Sequence, residues 1–380
     1  MGKILFNEPY QSGNELKYLT EVLNNQKFQG NGPFTKKAQN FIKTYTSAES
    51  VLLTHSCTGA LELSALLLDI GPGDEVILPS YTFASTASAF LRNGAKLIFA
   101  DINPNSLMID KEDVVDKITD NTKAVVPISY AGLSPELKDI KKICNESEIN
   151  MIEDNAQGLG SSSYGNSLGT HGILGTLSFH ETKNIHCGLG GALLINDNSL
   201  FDRAENIWER GTNRSKMLKG LVDKYTWVDV GSSFYPSELQ SAFLLAQLES
   251  IDENLEKRKI LCMEYDVLLS DMENFGKIRR QTRDHTESWN YHAMVVIFES
   301  PKITNSVRND LLSNDIHSYI GYVPLHSSPM GRSLNEEVIS LPVTDLISEN
   351  ILRLPLHCNM SISDVRKVCK CIKESLSGVK

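Results

Sequence analysis

Lys183 lies in SFHETKN (178–184), a polar turn between two apolar stretches, with Gly188, Gly190 and Gly191 easing the chain back. A lysine held there can reach into a cleft, and partial burial lowers an amine from its usual pKa of about 10.4. Such an amine attacks carbonyl carbon and ferries protons. Asp154 ends the apolar part of INMIEDNAQ (149–157), where a carboxylate is costly without a partner. Taken singly, each has a plainer role, as a solvated turn lysine and as a cap for the segment that follows. Together they offer an amine and a buried counter-charge. A third cluster is basic. Residues 210–224 (RGTNRSKMLKGLVDK) hold Arg210, Arg214, Lys216, Lys219 and Lys224 against one carboxylate, Asp223. In a chain of net charge −10 this suits a diphosphate, or else it is an ordinary solvated loop.

The elements around these residues alternate. VILPSYTF (76–83), AKLIFADI (95–102), KAVVPISYAG (123–132) and INMIEDNAQ (149–157) read as strands that end in small or polar residues. GALELSALLLDI (59–70) and ELKDIKKICNESE (136–148) carry apolar residues at helical spacing. Such alternation predicts a parallel, doubly wound α/β sheet covered on both faces, with ligands at the carboxyl ends of its strands. Tyr81, Thr82, Phe83, Asp154 and Gln157 fall there. Residues 236–270 read as one long helix with Leu239, Phe243, Leu248, Ile251 and Leu255 on its apolar face. Beyond it, YHAMVVIF (291–298), HSYIGYV (317–323) and a closing helix near 361–376 suggest a smaller mixed unit. The expected division is a large domain over 1–250 and a small α+β domain over 251–380.

Composition narrows the function. A chain of 380 residues, 41% hydrophobic, is long enough for two packed units. Net negative charge argues against binding nucleic acid or an anionic membrane surface. The opening MGKILFNEPYQSGNE has no signal-like apolar core, Phe6 breaks the myristoylation pattern, and no run is long enough to span a bilayer. The seven cysteines are scattered, and Cys369 with Cys371 lacks the partners of a zinc site. Reduced thiols, a cytoplasmic location and no metal are expected.

Four strings in this order, SCTGALEL (56–63), LPSYTF (78–83), IEDNAQ (152–157) and SFHETKN (178–184), resemble the sugar aminotransferases of the DegT/DnrJ/EryC1/StrS family. The similarity runs from about residue 4 to residue 360. It implies an aspartate-aminotransferase-like fold of type I that binds pyridoxal 5′-phosphate (PLP). On that resemblance Lys183 matches the lysine that bonds the cofactor and moves the proton between Cα and C4′. Asp154 matches the partner of the pyridinium nitrogen, Gln157 the neighbour of the phenolic oxygen, and Phe83 the aromatic stacked on the ring. Cys57 and Thr58, opening a helix, together with Ser178 match phosphate ligands. The family often adds a phosphate ligand from the partner subunit within GSSFYPSELQ (231–240). Tyr235 takes that place here, with Ser232 or Ser233 as substitutes.

RGTNR (210–214), VDKYTWVDVGSS (222–233), the stretch 52–83 and VPLHSSPMG (323–331) resemble the branch of the family that makes 4-amino-4,6-dideoxygalactose on dTDP. The resemblance implies L-glutamate as donor and dTDP-4-dehydro-6-deoxy-D-glucose as acceptor, with 2-oxoglutarate released. Ping-pong kinetics follow. The product would serve a bacterial surface polysaccharide of the O-antigen or enterobacterial common antigen type. Arg210, Asn213, Arg214, Lys224, Tyr225 and His326 are the implied substrate contacts. The basic loop's family counterpart crosses to the neighbouring site, which implies a homodimer with shared active sites, or a tetramer built from it. The same cofactor residues would also serve a 4-amino gluco epimer or a 3-amino sugar nucleotide. Relatives that are sugar dehydratases replace the lysine by histidine, and a non-catalytic regulator would have lost Lys183 or Asp154. GLGG (188–191) lies too late and is wrongly spaced for a dinucleotide fingerprint.

Overall fold

The computed structural model describes residues 2–334 and 337–378. Its larger sheet takes β1 (Ser50–Thr54), β2 (Glu75–Pro79), β3 (Lys96–Ala100), β4 (Thr122–Val125) and β5 (Asn150–Asp154). A separate hairpin, β6 (Ser162–Ser163) with β7 (Asn166–Ser167), intervenes before β8 (Leu174–Ser178) and β9 (Gly191–Ile195) complete it. The order is β1-β9-β8-β5-β4-β2-β3, and β9 alone runs against its neighbours. Every residue of β2 (EVILP) is buried, the pattern of a strand covered on both faces. Helices Cys57–Leu67, Ala84–Leu91 and Phe201–Trp208 pack their apolar sides on one face. Pro33–Thr46, Glu238–Leu248 and Leu137–Glu146 cover the other. Each fully buried branched side chain contributes roughly 1.5–3 kcal/mol.

The strands are shorter than their sequence runs. The stretches expected to reach residues 83, 132 and 157 leave the sheet at Pro79, Val125 and Asp154. Pro79 cannot donate to a ladder, and Tyr130–Gly132 folds into a 3₁₀ turn with Ala131 at φ 58°. The released segments build the site.

The long helix expected over 236–270 is two, Glu238–Leu248 and Ile251–Asn274. Ser237 and Gln240 close a capping box at the start of the first. Leu239 does not belong to the apolar face, being 37% exposed. The first helix lies between the sheet and the N-terminal helices, so Ala242, Leu244, Leu245 and Leu248 are buried from more than one side.

The smaller antiparallel sheet takes β10 (Arg279–Arg280), β11 (Met294–Ile297), β12 (Tyr319–Ile320) and β13 (Ile351–Leu354), in the order β10-β11-β13-β12. Only Tyr319 and Ile320 of the expected strand 317–323 pair in it. Helices Pro301–Ser313 and Ile362–Gly378 pack with the far half of Ile251–Asn274 against this sheet. The chain's first residues also join it. Ile4 bridges Ile316, and the Phe6 carbonyl accepts the Leu356 N–H at 3.2 Å. Phe6 and Asn7 are thereby carried to the cleft between the two sheets. All seven cysteines are free thiols, and no described helix is long and apolar enough to cross a membrane.

Candidate active site

The carboxyl ends of β2, β5 and β8 meet the small sheet around a cavity of about 400 Å³. That is within the roughly 300–1,000 Å³ usual for small-molecule sites. A wider depression of about 540 Å³ lies open elsewhere on the surface, and its Asp266, Glu273, Arg280 and Arg283 are already paired with one another.

Lys183 lines the cavity, from a turn closed by its own N–H donating to the His180 carbonyl at 2.9 Å. His180 shapes that turn, its Nδ1 taking the Thr182 N–H at 3.3 Å. Burial is the largest influence on the Lys183 amine and lowers its pKa. Arg353 adds to the fall, while Cys57 and Asp154 oppose it. The result favours the neutral, nucleophilic form. Asn184, next in sequence, fastens the turn. Its Nδ2 donates to the Asn290 carbonyl at 2.7 Å, and its Oδ1 faces His292 Nδ1 at 3.0 Å. Burial holds His292 well below the usual histidine range, so it is neutral, and the Asn184 contact assigns its proton to Nδ1.

Asp154 closes β5 and is 5% exposed. Its Oδ2 accepts the Thr86 hydroxyl at 2.7 Å and its Oδ1 the Ala156 N–H at 3.2 Å. Burial raises its pKa above the usual carboxylate range. The Thr86 and Ala156 hydrogen bonds and the Lys183 charge counter this only in part. Such a carboxylate is under-compensated until a cation or N–H donor reaches it.

Opposite lies an anion seat. Ser56 caps helix Cys57–Leu67 by accepting the Gly59 N–H at 3.0 Å. The N–H groups of Cys57 and Thr58, in the helix's first turn, have no intrahelical partner and stand at the cavity wall. Ser178, at the end of β8, adds a hydroxyl, and the Thr58 hydroxyl donates to Ser85 at 2.8 Å. Gly191 lets β9 begin against this terminus, because a Cβ there would collide with the Cys57 nitrogen and the Ser56 carbonyl. Gly191→Ala is expected to cost about 1–3 kcal/mol of backbone displacement. Cofactor affinity should fall roughly 10- to 100-fold, read by titrating the apoprotein with PLP.

Phe83 stands at the mouth, 61% exposed, with its ring 6.4 Å from that of Tyr322. Gln157 is committed on both sides. Its Oε1 accepts the Ala131 N–H at 2.7 Å and its Nε2 donates to the Tyr322 hydroxyl at 2.8 Å.

Cys57, Thr58, Phe83, Asp154, Gln157, Ser178 and Lys183 thus come together. The other candidates lie elsewhere in the chain. Arg210 bonds the Tyr235 hydroxyl and stacks over its ring at 5.0 Å. Ser232 is exposed, its carbonyl accepting the Arg210 N–H. Asn213 Oδ1 takes the Thr226 N–H at 2.7 Å, and Lys224 and Tyr225 are exposed. His326 is buried under the cleft, its Nδ1 2.7 Å from the Ser80 hydroxyl and its Nε2 3.3 Å from Asp345.

The basic loop is less basic than its sequence. Acids of the preceding helix and turn pair three of its five cations, Arg214 with Glu209 (3.5 Å), Lys216 with Asp202 (2.9 Å) and Lys219 with Glu205 (3.0 Å). Sequence reasoning had no signal for Thr86, His292 or Tyr322 in the cavity. Arg353 left one, a lone charge inside the apolar run ILRLPL.

Thr58, Ser178, Asp154, Phe83 and Lys183 line one cavity, and a PLP group bound there would have the helix terminus with Thr58 and Ser178 to meet its phosphate, Asp154 its ring nitrogen, Phe83 its ring face and Lys183 its aldehyde. Fold and site define a fold-type-I, PLP-dependent transferase of amino groups. The chain belongs to the DegT/DnrJ/EryC1/StrS aminotransferase family, whose family model matches residues 9–373. It is 30% identical over 372 residues to dTDP-4-dehydro-2,3,6-trideoxy-D-glucose 4-aminotransferase of Saccharopolyspora spinosa, spanning 96% of this chain and 94% of that protein. Its fold matches the aminotransferase TlmJ from Streptoalloteichus hindustanus, with TM-score 0.91, 28% identity and complete coverage of both chains. It also matches NtdA of Bacillus subtilis, solved with bound cofactor PMP, the amino form of PLP. There the TM-score is 0.87 and identity 26%, over 96% of this chain and 81% of that one.

Proposed function

We propose that the protein moves the amino group of L-glutamate to C4 of dTDP-4-dehydro-6-deoxy-D-glucose, giving dTDP-4-amino-4,6-dideoxy-D-galactose and 2-oxoglutarate. The product would feed a bacterial surface polysaccharide. The observation that carries this is the near-complete alignment with a relative that aminates C4 of a dTDP-linked 4-keto sugar. The strings RGTNR and VDKYTWVDVGSS support it.

When bound, PLP supplies an aldehyde for covalent capture and a ring that spreads the electrons left behind by a departing proton. The residues do the rest. Lys183 would hold the cofactor and carry the proton taken from Cα of the donor, and would return one to the acceptor on the second leg. Asp154 would pair with the ring nitrogen. Phe83 and the helix terminus with Thr58 and Ser178 would fix the group's position beside Lys183.

The arm after residue 213 leaves Leu218, Leu221, Tyr225, Trp227 and Val230 between 53% and 77% exposed. Apolar surface of that extent favours burial against another copy, as a homodimer with shared sites would provide. Lys224, exposed and outside the ion pairs formed among the described residues, would then face the partner's substrate.

Incubation of the PLP-loaded protein with glutamate and the keto sugar tests the assignment. The H4 coupling of the product is expected to report an axial amine. A large diaxial coupling would give the gluco product instead and refute the galacto assignment.

A further inference from the structure

Two side-chain amides line the cavity, Gln157 and Asn7. Gln157 is engaged at both ends, by the Ala131 N–H and the Tyr322 hydroxyl. Asn7 is engaged at one. Its Nδ2 donates to the Glu181 carbonyl at 3.5 Å, and its Oδ1 meets no donor among the described residues. A carbonyl can only accept, so this contact fixes which way the amide points and leaves an acceptor as the free edge. Neighbouring hydroxyls of the cavity are already paired, Thr58 with Ser85, Thr86 with Asp154 and Thr182 with His180. The segment that carries Asn7 is tied down on both sides of it. The Ile4 N–H and carbonyl bond Asp315 and His317 at 2.9 Å, and the Phe6 carbonyl holds Leu356. Beyond Asn7, Glu8 accepts the Asn359 amide at 2.9 Å. The carbonyl of buried Tyr10 then accepts from Gln247 Nε2 at 2.9 Å and from His186 Nε2 at 2.7 Å. Asn7 is thus a fixed acceptor where the chain crosses from the small sheet to the large one, and a ligand need not order it.

The two substrates differ in what they can offer such an oxygen. Beyond its amino group, which reacts, glutamate carries only carboxylates, and these cannot donate to an acceptor. The keto sugar carries a hydroxyl on C3, one bond from the C4 that must meet Lys183. Glu181 stands two residues before Lys183 in the same turn, so Asn7 is held against the turn that presents the amine. We propose that Asn7 Oδ1 accepts the C3 hydroxyl of the acceptor sugar and so reads a group beside the reacting carbon. It then acts in one half of the reaction, favouring hydroxylated keto sugars over 3-deoxy ones and leaving the glutamate half alone. A desolvated acceptor that a deoxy sugar leaves unpaired costs more than the bond itself contributes, so such a contact discriminates sharply. This rests on the reading above that the acceptor is a nucleotide-linked 4-keto sugar.

The test compares the PLP-loaded wild type with Asn7→Leu, and with Asn7→Ala should the first fail to fold. kcat/KM is measured for L-glutamate, for the 4-keto-6-deoxy hexose on dTDP, UDP and GDP, and for its 3-deoxy analogue. Binding of dTDP-6-deoxy-D-glucose, which has no keto group to react, is titrated by calorimetry. Either variant is expected to lower both kcat/KM for the keto sugar and affinity for the unreactive one roughly 10- to 100-fold. Its kcat/KM for glutamate should stay within about twofold of wild type. Wild type should prefer the hydroxylated sugar to the 3-deoxy one by a similar factor, and the variants should use the two about equally. An unchanged preference in the variants, or an equal loss for glutamate and sugar, would overturn the proposal while the reading of the acceptor stands. A wild type that uses no nucleotide-linked 4-keto sugar would overturn both.

Discussion

Lys183→Ala is expected to cut amino transfer by about 10⁴-fold, the upper range for losing a positioned proton carrier, with covalent capture of the cofactor lost as well. The fold should survive. Lys183 lines the cavity rather than the core, and the hydrogen bond that holds its turn is a backbone one. Removing a desolvated amine also removes a cost. Lys183→Arg makes the comparison decisive, because it keeps a long basic side chain and loses the nucleophilic amine. Both variants should melt close to wild type and both should be inactive. Turnover above about 1% in either would mean that the turn is a scaffold and the proton travels elsewhere.

Asp154→Asn should move two measurements in opposite directions. Activity of the loaded protein should fall roughly 10²- to 10³-fold, as when an aimed electrostatic partner is removed. Stability of the apoprotein should rise at neutral pH. The sign follows from burial, which raises the folded-state pKa of Asp154 above its unfolded value. Stability from this group is therefore fully present below the unfolded value of about 3.9 and is lost as pH rises through the folded one. Asparagine cannot ionise, so its melting profile lacks that loss, and Thr86 retains an oxygen to bond. Bound cofactor should reverse the order, since a protonated ring nitrogen compensates the carboxylate and not the amide. Melting curves of apo and loaded forms across pH, together with turnover, check both signs. An apoprotein destabilised by the substitution at neutral pH would show that Asp154 is already satisfied without a partner.

Much of the site was legible in sequence because the large-domain contributions are local. Phe83, Asp154 and Ser178 stand at or just beyond strand ends, and Cys57 and Thr58 open a helix, so strand–helix alternation alone places them on one rim. The opposite wall was not legible. His292, Tyr322 and Arg353 arrive from strands and loops more than a hundred residues further on, and Phe6 from the other end of the chain through the bridge of Ile4 to Ile316. Packing over such separations leaves no periodic trace. The strands there are also short, two residues in the case of Tyr319–Ile320. The basic loop taught a narrower lesson. Its neutralising acids, Asp202, Glu205 and Glu209, lie just upstream at near-helical spacing, and a charge count that begins at residue 210 passes over them.

Lys183 is the amine expected to hold the cofactor. Borohydride treatment of the PLP-loaded protein fixes the carbon–nitrogen bond, and peptide mass spectrometry then locates it. The cofactor mass is expected on the peptide containing SFHETKN and nowhere else, with protection from this labelling when glutamate is added first. Label on another lysine, or a wild type that takes up no PLP, would refute this role for Lys183.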